Sequence, residues 1–146
     1  MNDMRELYQE TILDHYRQPR NAGTLPGANR TAEGYNPLCG DRVKLYLQVE
    51  GGVIRDARFE GTGCAIATAS ASLMTESIKG KREDEALRLL EQIHGMVTDG
   101  SIAGDAGKLA VLGGVHEFPQ RVKCATLAWH TLKAALDNAV EPVTTE

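Results

Sequence analysis

The sequence predicts an α+β fold: a small antiparallel sheet of about three strands with α-helices packed over one face. Two observations carry this. Val43, Leu45, Leu47 and Val49 alternate with Arg42, Lys44, Tyr46 and Gln48, and a second alternation follows the pair Gly51-Gly52. Such alternation marks strands with one wet face, and a Gly-Gly pair permits the tight turn of a hairpin. Elsewhere, apolar residues recur at helical spacing in several long stretches. A hairpin with one apolar face must bury it, and those helices are the available cover.

In chain order, Met4 to Arg17 reads as a helix from the spacing of Leu7, Tyr8, Ile12 and Tyr16. Pro19 stops it, because the residue before a proline is pushed out of the helical region. Arg20 to Tyr35 is rich in Asn, Gly and Pro and reads as a loop, with Arg30 to Tyr35 as a candidate third strand. Asp41 to Gly61 is the hairpin, with Ala57 and Phe59 as inner residues of its second strand. Gly61-Thr62-Gly63 breaks that strand, and a helix runs from Cys64 to about Lys79 on Ile66, Ala69, Leu73, Met74 and Ile78. Gly80 is its expected stop. Lys81 to about Val97 forms the next helix, with Ala86, Leu89, Leu90, Ile93 and Val97 inward and its charges solvated. Thr98 to Gly107 is a Gly- and Asp-rich loop, and Leu109 to Val115 a short helical turn. Pro119 precedes the last helix, Val122 to Asn138, packed through Leu127, Ala128, Thr131, Leu132, Ala135 and Leu136. Residues 1–139 are expected to form a single domain and 140–146 a disordered tail.

The chain has 146 residues, enough for one domain with a real core. Lys and Arg total 16 against 20 for Asp and Glu, a net charge of -4, which gives no support to a nucleic-acid or anionic-membrane surface. No apolar run is long enough to span a bilayer, and the N-terminal residues lack the apolar stretch of a signal peptide. A cytoplasmic protein is therefore expected, and there thiols stay reduced. The odd count of 3 cysteines also argues against a disulfide framework and for metal binding or thiol chemistry.

Those cysteines are Cys39, Cys64 and Cys124. Cys39 sits in Asn36-Pro37-Leu38-Cys39-Gly40-Asp41, which places a thiol and a carboxylate two residues apart on a Pro/Gly-bounded loop. Cys64 follows Gly61-Thr62-Gly63, and Cys124 follows Pro119-Gln120-Arg121-Val122-Lys123. Three thiolates and Asp41 make four ligands, enough to close a tetrahedral zinc site or to hold an iron–sulfur cluster. Cys64 and Cys124 are expected at or near helix N-termini, where unpaired N–H groups and the helix dipole favour thiolate. Arg121 and Lys123 add positive charge beside Cys124 in support. Cys39, on its Gly-flanked loop, is the thiol free to move and react. Among the histidines, His15 and His130 fall within helices as packing or surface residues. His94 falls on a partly exposed helix side, and His116 lies nearest a cysteine segment. The four stronger ligands leave none of them needed.

Taken together, these segments resemble the U-type iron–sulfur cluster assembly proteins, the IscU and NifU N-terminal family, and specifically their zinc-binding Suf-type branch. The resemblance rests on Leu7-Tyr8, His15-Tyr16 and Pro19-Arg20-Asn21, on Asn36 to Asp41, on Phe59 to Cys64 and on Ser70 to Thr75. Lys79-Gly80-Lys81 and Phe118 to Trp129 complete it. It covers nearly all the chain except the tail. Three departures from the Isc scaffolds set the branch. Lys123 stands where those carry a histidine before the third cysteine, and the segment between Cys64 and Cys124 is longer. Only Pro119 remains of their double-proline segment, which a dedicated chaperone reads. The resemblance implies a zinc ion on Cys39, Asp41, Cys64 and Cys124, with Cys39 accepting persulfide sulfur from a SufS-like cysteine desulfurase and the chain activating that enzyme. The alternative it implies is a scaffold on which a [2Fe-2S] cluster is built and passed to apo acceptors, alongside other Suf-type assembly proteins.

Overall fold

The computed structural model describes residues 10–37, 39–99, 107–138 and 142–144. Leu7 and Tyr8 of the first expected helix, the loop segment 100–106 and most of the expected tail lie outside these residues. The elements are α1 (Glu10–Arg17), β1 (Arg30–Asn36), β2 (Asp41–Glu50), β3 (Val53–Thr62), α2 (Ala65–Ile78), α3 (Glu83–Asp99), a 3-10 helix (Gly107–Glu117), α4 (Pro119–Leu136) and β4 (Val143–Thr144).

The fold is α+β, as expected. The sheet runs β3-β2-β1-β4, with β1, β2 and β3 antiparallel and β4 parallel to β1. Gly51 and Gly52 both take positive φ in the β2–β3 turn, the conformation a two-residue hairpin loop demands. Val43, Leu45, Leu47 and Val49 are buried along β2, joined by Ile54, Ala57 and Phe59 from β3. Fully burying one such aliphatic side chain contributes roughly 1.5–3 kcal/mol, so the alternation suffices to fix which face turns inward.

The strand count is four rather than about three. The addition is β4, in the stretch expected to be a disordered tail: Val143 and Thr144 pair with Gly34 and Tyr35. Two residues carry no periodicity, so this pairing has no local signal. It comes from tertiary packing, with Val143 partly buried against the core.

Helix α2 is buried over most of its circumference, including Ser70, Ser72 and Thr75. Its hydroxyls bind its neighbours. Ser72 Oγ lies 2.7 Å from His15 Nδ1 of α1 and accepts the Arg20 N–H at 2.8 Å. Ser70 Oγ donates to the Ala125 carbonyl at 2.6 Å and accepts from Trp129 Nε1 at 3.1 Å, which clamps α4 onto α2 beside Cys124. On its other side α4 crosses β1 at Gly34, where an added Cβ would collide with the Thr131 hydroxyl. Helix α4 begins at Pro119, three residues earlier than the sequence pattern suggests. Proline has no N–H to lose at the first helical position, so it starts this helix rather than preceding it. Among the described residues no helix is long and apolar enough to cross a membrane.

Candidate metal centre

The site lies where the β1–β2 hairpin, the start of α2 and the second turn of α4 meet. Asn36 and Asp41 face each other in register and close a four-residue hairpin loop, 37–40. The Asn36 carbonyl accepts the Gly40 N–H at 2.8 Å and the Cys39 N–H at 3.3 Å, and Gly40 takes φ 75°, which a larger residue would resist. Cys39 is exposed on this loop. Asp41 begins β2 on the inner face and is fully buried.

Cys64 caps α2. Its backbone is extended, and its Sγ accepts the Ala67 N–H at 3.4 Å. Its own N–H donates to Asp41 Oδ1 at 2.9 Å, so the carboxylate fixes where the helix starts. Gly63 makes that approach feasible, because a Cβ there would lie 2.7 Å from the same oxygen. Cys124, fully buried on α4, directs its Sγ to the Gln120 carbonyl at 3.5 Å.

One ligand atom each from Cys39, Asp41 and Cys124 falls within 4.8 Å of the others. A tetrahedral zinc shell with bonds of about 2.0–2.3 Å separates its ligand atoms by roughly 3.3–3.8 Å. The trio is therefore near binding geometry, and thiolate with carboxylate is a donor set zinc accepts. Cys64 stands outside the trio, its thiol interacting electrostatically with that of Cys124. No histidine joins the cluster among the described residues. His15 is committed to Ser72, His94 and His130 meet edge to face with ring centroids 5.6 Å apart, and His116 Nδ1 lies 2.9 Å from the Gly113 carbonyl.

A family profile described as the NifU-like N-terminal domain matches residues 7–142. The chain belongs to that family. The zinc-dependent sulfurtransferase SufU of Bacillus subtilis is 44% identical over 131 residues, covering 87% of each chain. The iron–sulfur cluster assembly scaffold protein IscU of Thermotoga maritima is also 44% identical, over 139 residues, covering 93% of this chain and 96% of that one. A crystal structure from Fervidobacterium islandicum, described as a SUF-system iron–sulfur cluster assembly scaffold, superposes with a TM-score of 0.83 at 36% identity, covering 92% of this chain and 99% of that one. The N-terminal NifU-like protein of Brucella abortus shares the fold, with a TM-score of 0.84 at 23% identity over 92% of this chain and 94% of that one. This NifU-like chain is thus an iron–sulfur cluster assembly protein of the SufU and IscU kind.

The electrostatics correct one expectation for this NifU-like site. Both helix-borne thiols were expected to ionise easily, yet they move apart. A hydrogen bond from Cys124, with the N–H groups of Ala67 and Ile66, lowers the Cys64 thiol to about 6 against the opposing effects of burial and Asp41. Cys124 is pushed strongly up, first by its hydrogen bond to Cys64, then by burial and Asp41. With α4 starting at Pro119, Cys124 lies in the second turn, past the free N–H groups that would favour a thiolate. Arg121 and Lys123 sit half-buried in the same two turns.

The pH dependence of the metal-free protein follows. The Cys64 pKa is lower folded than unfolded, so its stabilisation is complete above about 8.5, the usual thiol value. It is lost as pH falls through about 6. Cys124 is raised, so its stabilisation is complete below that usual value and declines above it. The metal-free melting temperature is expected to climb from pH 6 to a maximum around 8.5 and then fall. Ultraviolet thiolate absorbance should show a one-thiolate step centred at about pH 6 that Cys64→Ser removes. Thiolate appearing only above pH 8 would show that the two thiols are uncoupled.

Proposed function

We propose that the chain is a zinc-dependent sulfur-transfer protein of iron–sulfur cluster biogenesis, receiving persulfide sulfur from a SufS-like cysteine desulfurase. The observation that carries this reading is the contrast in exposure within the ligand set. Asp41 and Cys124 are fully buried and Cys64 is half-buried, while Cys39 is exposed at a hairpin tip. A partner's persulfide can reach Cys39 without disturbing the core.

Cys39, Asp41, Cys64 and Cys124 would hold the zinc, which when bound keeps the thiols deprotonated and ties the hairpin, α2 and α4 together. In the transfer, the Cys39 thiolate attacks the outer sulfur of the desulfurase persulfide. A new S–S bond forms at Cys39 Sγ, the desulfurase S–S bond breaks, and its cysteine leaves as thiolate. No net oxidation occurs and no further reactant is needed. The tight loop held by the Asn36 carbonyl presents the thiol, and Asp41 holds the adjoining helix start in place.

The second reading is a scaffold for a cluster in transit, with the same residues as ligands. It is favoured by the Thermotoga maritima relative, which matches more of the chain than the sulfurtransferase at equal identity. Lys123, where the Isc scaffolds carry histidine, weighs toward sulfur transfer. The test is incubation with desulfurase and cysteine, followed by peptide mass spectrometry and metal analysis. Sulfur transfer predicts one zinc per chain, an added sulfur atom on the Cys39 peptide and stimulated desulfurase turnover. A chain purified with iron and sulfide, which passes a cluster to an apo acceptor without stimulating the desulfurase, makes it a scaffold.

A further inference from the structure

Asn36 closes the β1–β2 hairpin, and it also touches three of the four proposed ligands or their backbone. It ends β1 on the inner face, after Ala32 and Gly34, and is fully buried. Among the described residues it is the only carboxamide buried to that degree. Burying an amide is costly unless its hydrogen bonds are met, so its partners reveal what holds it there. Its Nδ2 lies 3.4 Å from Asp41 Oδ2 and 3.7 Å from Cys124 Sγ. Its backbone carbonyl takes the N–H groups of Cys39 and Gly40.

We propose that Asn36 is a positioning residue for the metal centre: its carboxamide bridges the Asp41 carboxylate and the Cys124 sulfur, orienting both ligands and tempering the sulfur by hydrogen bonding. The inference rests on the ligand set proposed above. Asp41 is gripped at both oxygens, Oδ1 by the Cys64 N–H and Oδ2 by Asn36. The carboxylate therefore has one defined orientation beside the thiols. A carboxamide suits this position because it offers two donors and no charge. Lysine or arginine would add a cation that competes with the metal, and aspartate would add an anion with no donor. Donors to metal-bound thiolate withdraw electron density from sulfur, and partners of this type commonly govern affinity by about 10–100-fold.

The test compares wild type with Asn36→Leu, which keeps the volume without the amide, and Asn36→Asp, which keeps the shape but replaces the donor with an acceptor. Zinc affinity is measured by competition with a chromophoric chelator. Cobalt(II) loading is followed by its sulfur-to-metal charge-transfer and d–d bands, and the metal-free melting temperature is recorded for each protein. The expected result is zinc affinity about 10–100-fold weaker in both variants. The tetrahedral d–d envelope should remain, and the charge-transfer band should move to longer wavelength as sulfur loses its donor. Asn36→Asp retains the side chain's shape and decides the matter should Asn36→Leu fail to fold. Wild-type affinity and an unshifted band in a folded variant would overturn the proposal, whatever its melting temperature, and leave Asn36 a packing residue. Wild-type protein that takes up neither zinc nor cobalt would overturn the ligand set itself, and this role with it.

Discussion

Replacing Cys39 with serine is expected to abolish sulfur acceptance and return desulfurase turnover to its level without the chain. The metal-free melting temperature should stay within about 2 °C of wild type, as for other exposed substitutions. Both expectations follow from the hairpin. The loop is held through backbone groups, the Cys39 and Gly40 N–H on the Asn36 carbonyl, and serine keeps them. The side chain is exposed, so its change leaves no cavity. The chemistry has no such tolerance. A serine hydroxyl is almost wholly protonated at neutral pH and is a weak nucleophile without an adjacent base, whereas a thiolate attacks a sulfane sulfur directly. The same substitution at Cys124 should behave differently. That sulfur is fully buried and hydrogen-bonded, so its loss should lower stability and metal content together. The measurements are mass spectrometry of the sulfur-loaded chain, stimulated turnover and a thermal melt. Sulfur arriving at wild-type rate on Cys64 or Cys124 of the Cys39→Ser chain would move the acceptor role to that residue.

Much of this arrangement is legible in the sequence because strong local signals agree. The alternation from Val43 to Val49, the Gly51-Gly52 turn and the Gly80 stop each dictate one conformation, and each is found at its expected position. Cys64 was expected to open a helix and caps α2. What escaped has tertiary causes. Pro119 fits either before a helix or as its first residue, and it takes the first helical position. That difference of three residues moves Cys124 off the helix end, while Cys64, burial and Asp41 push its thiol up. The interaction between the Cys64 and Cys124 thiols joins residues far apart in sequence and leaves no local trace. Asn36 was within reach: continuing the inner-face alternation Ala32, Gly34 by one step puts a polar side chain at a core position, which demands partners.

Asp41 serves both the proposed metal shell and the start of α2. As the hardest ligand of the set it would tune lability, and its loss alone would leave zinc bound more weakly on three thiols. The buried carboxylate also holds the Cys64 N–H, so Asp41→Ala removes a ligand and a helix anchor together. An unmet buried donor costs about 1–3 kcal/mol, and the metal-free variant should lose stability of that order in a denaturant titration. Asp41→Asn separates the two roles. It keeps shape and an oxygen for the Cys64 N–H, so metal-free stability should largely return. A neutral amide is a poor replacement for a carboxylate ligand, so zinc affinity should stay low in both variants. Desulfurase stimulation should fall with it under the sulfur-transfer reading. Under the scaffold reading, a cluster should instead persist longer on both variants, because the ligand that eases its release is gone. Zinc affinity, stimulated turnover, cluster lifetime and metal-free stability, measured on the same preparations, distinguish these outcomes. Wild-type zinc affinity and turnover in Asp41→Asn, beside a destabilised Asp41→Ala, would make Asp41 the anchor of α2 and no ligand of the metal.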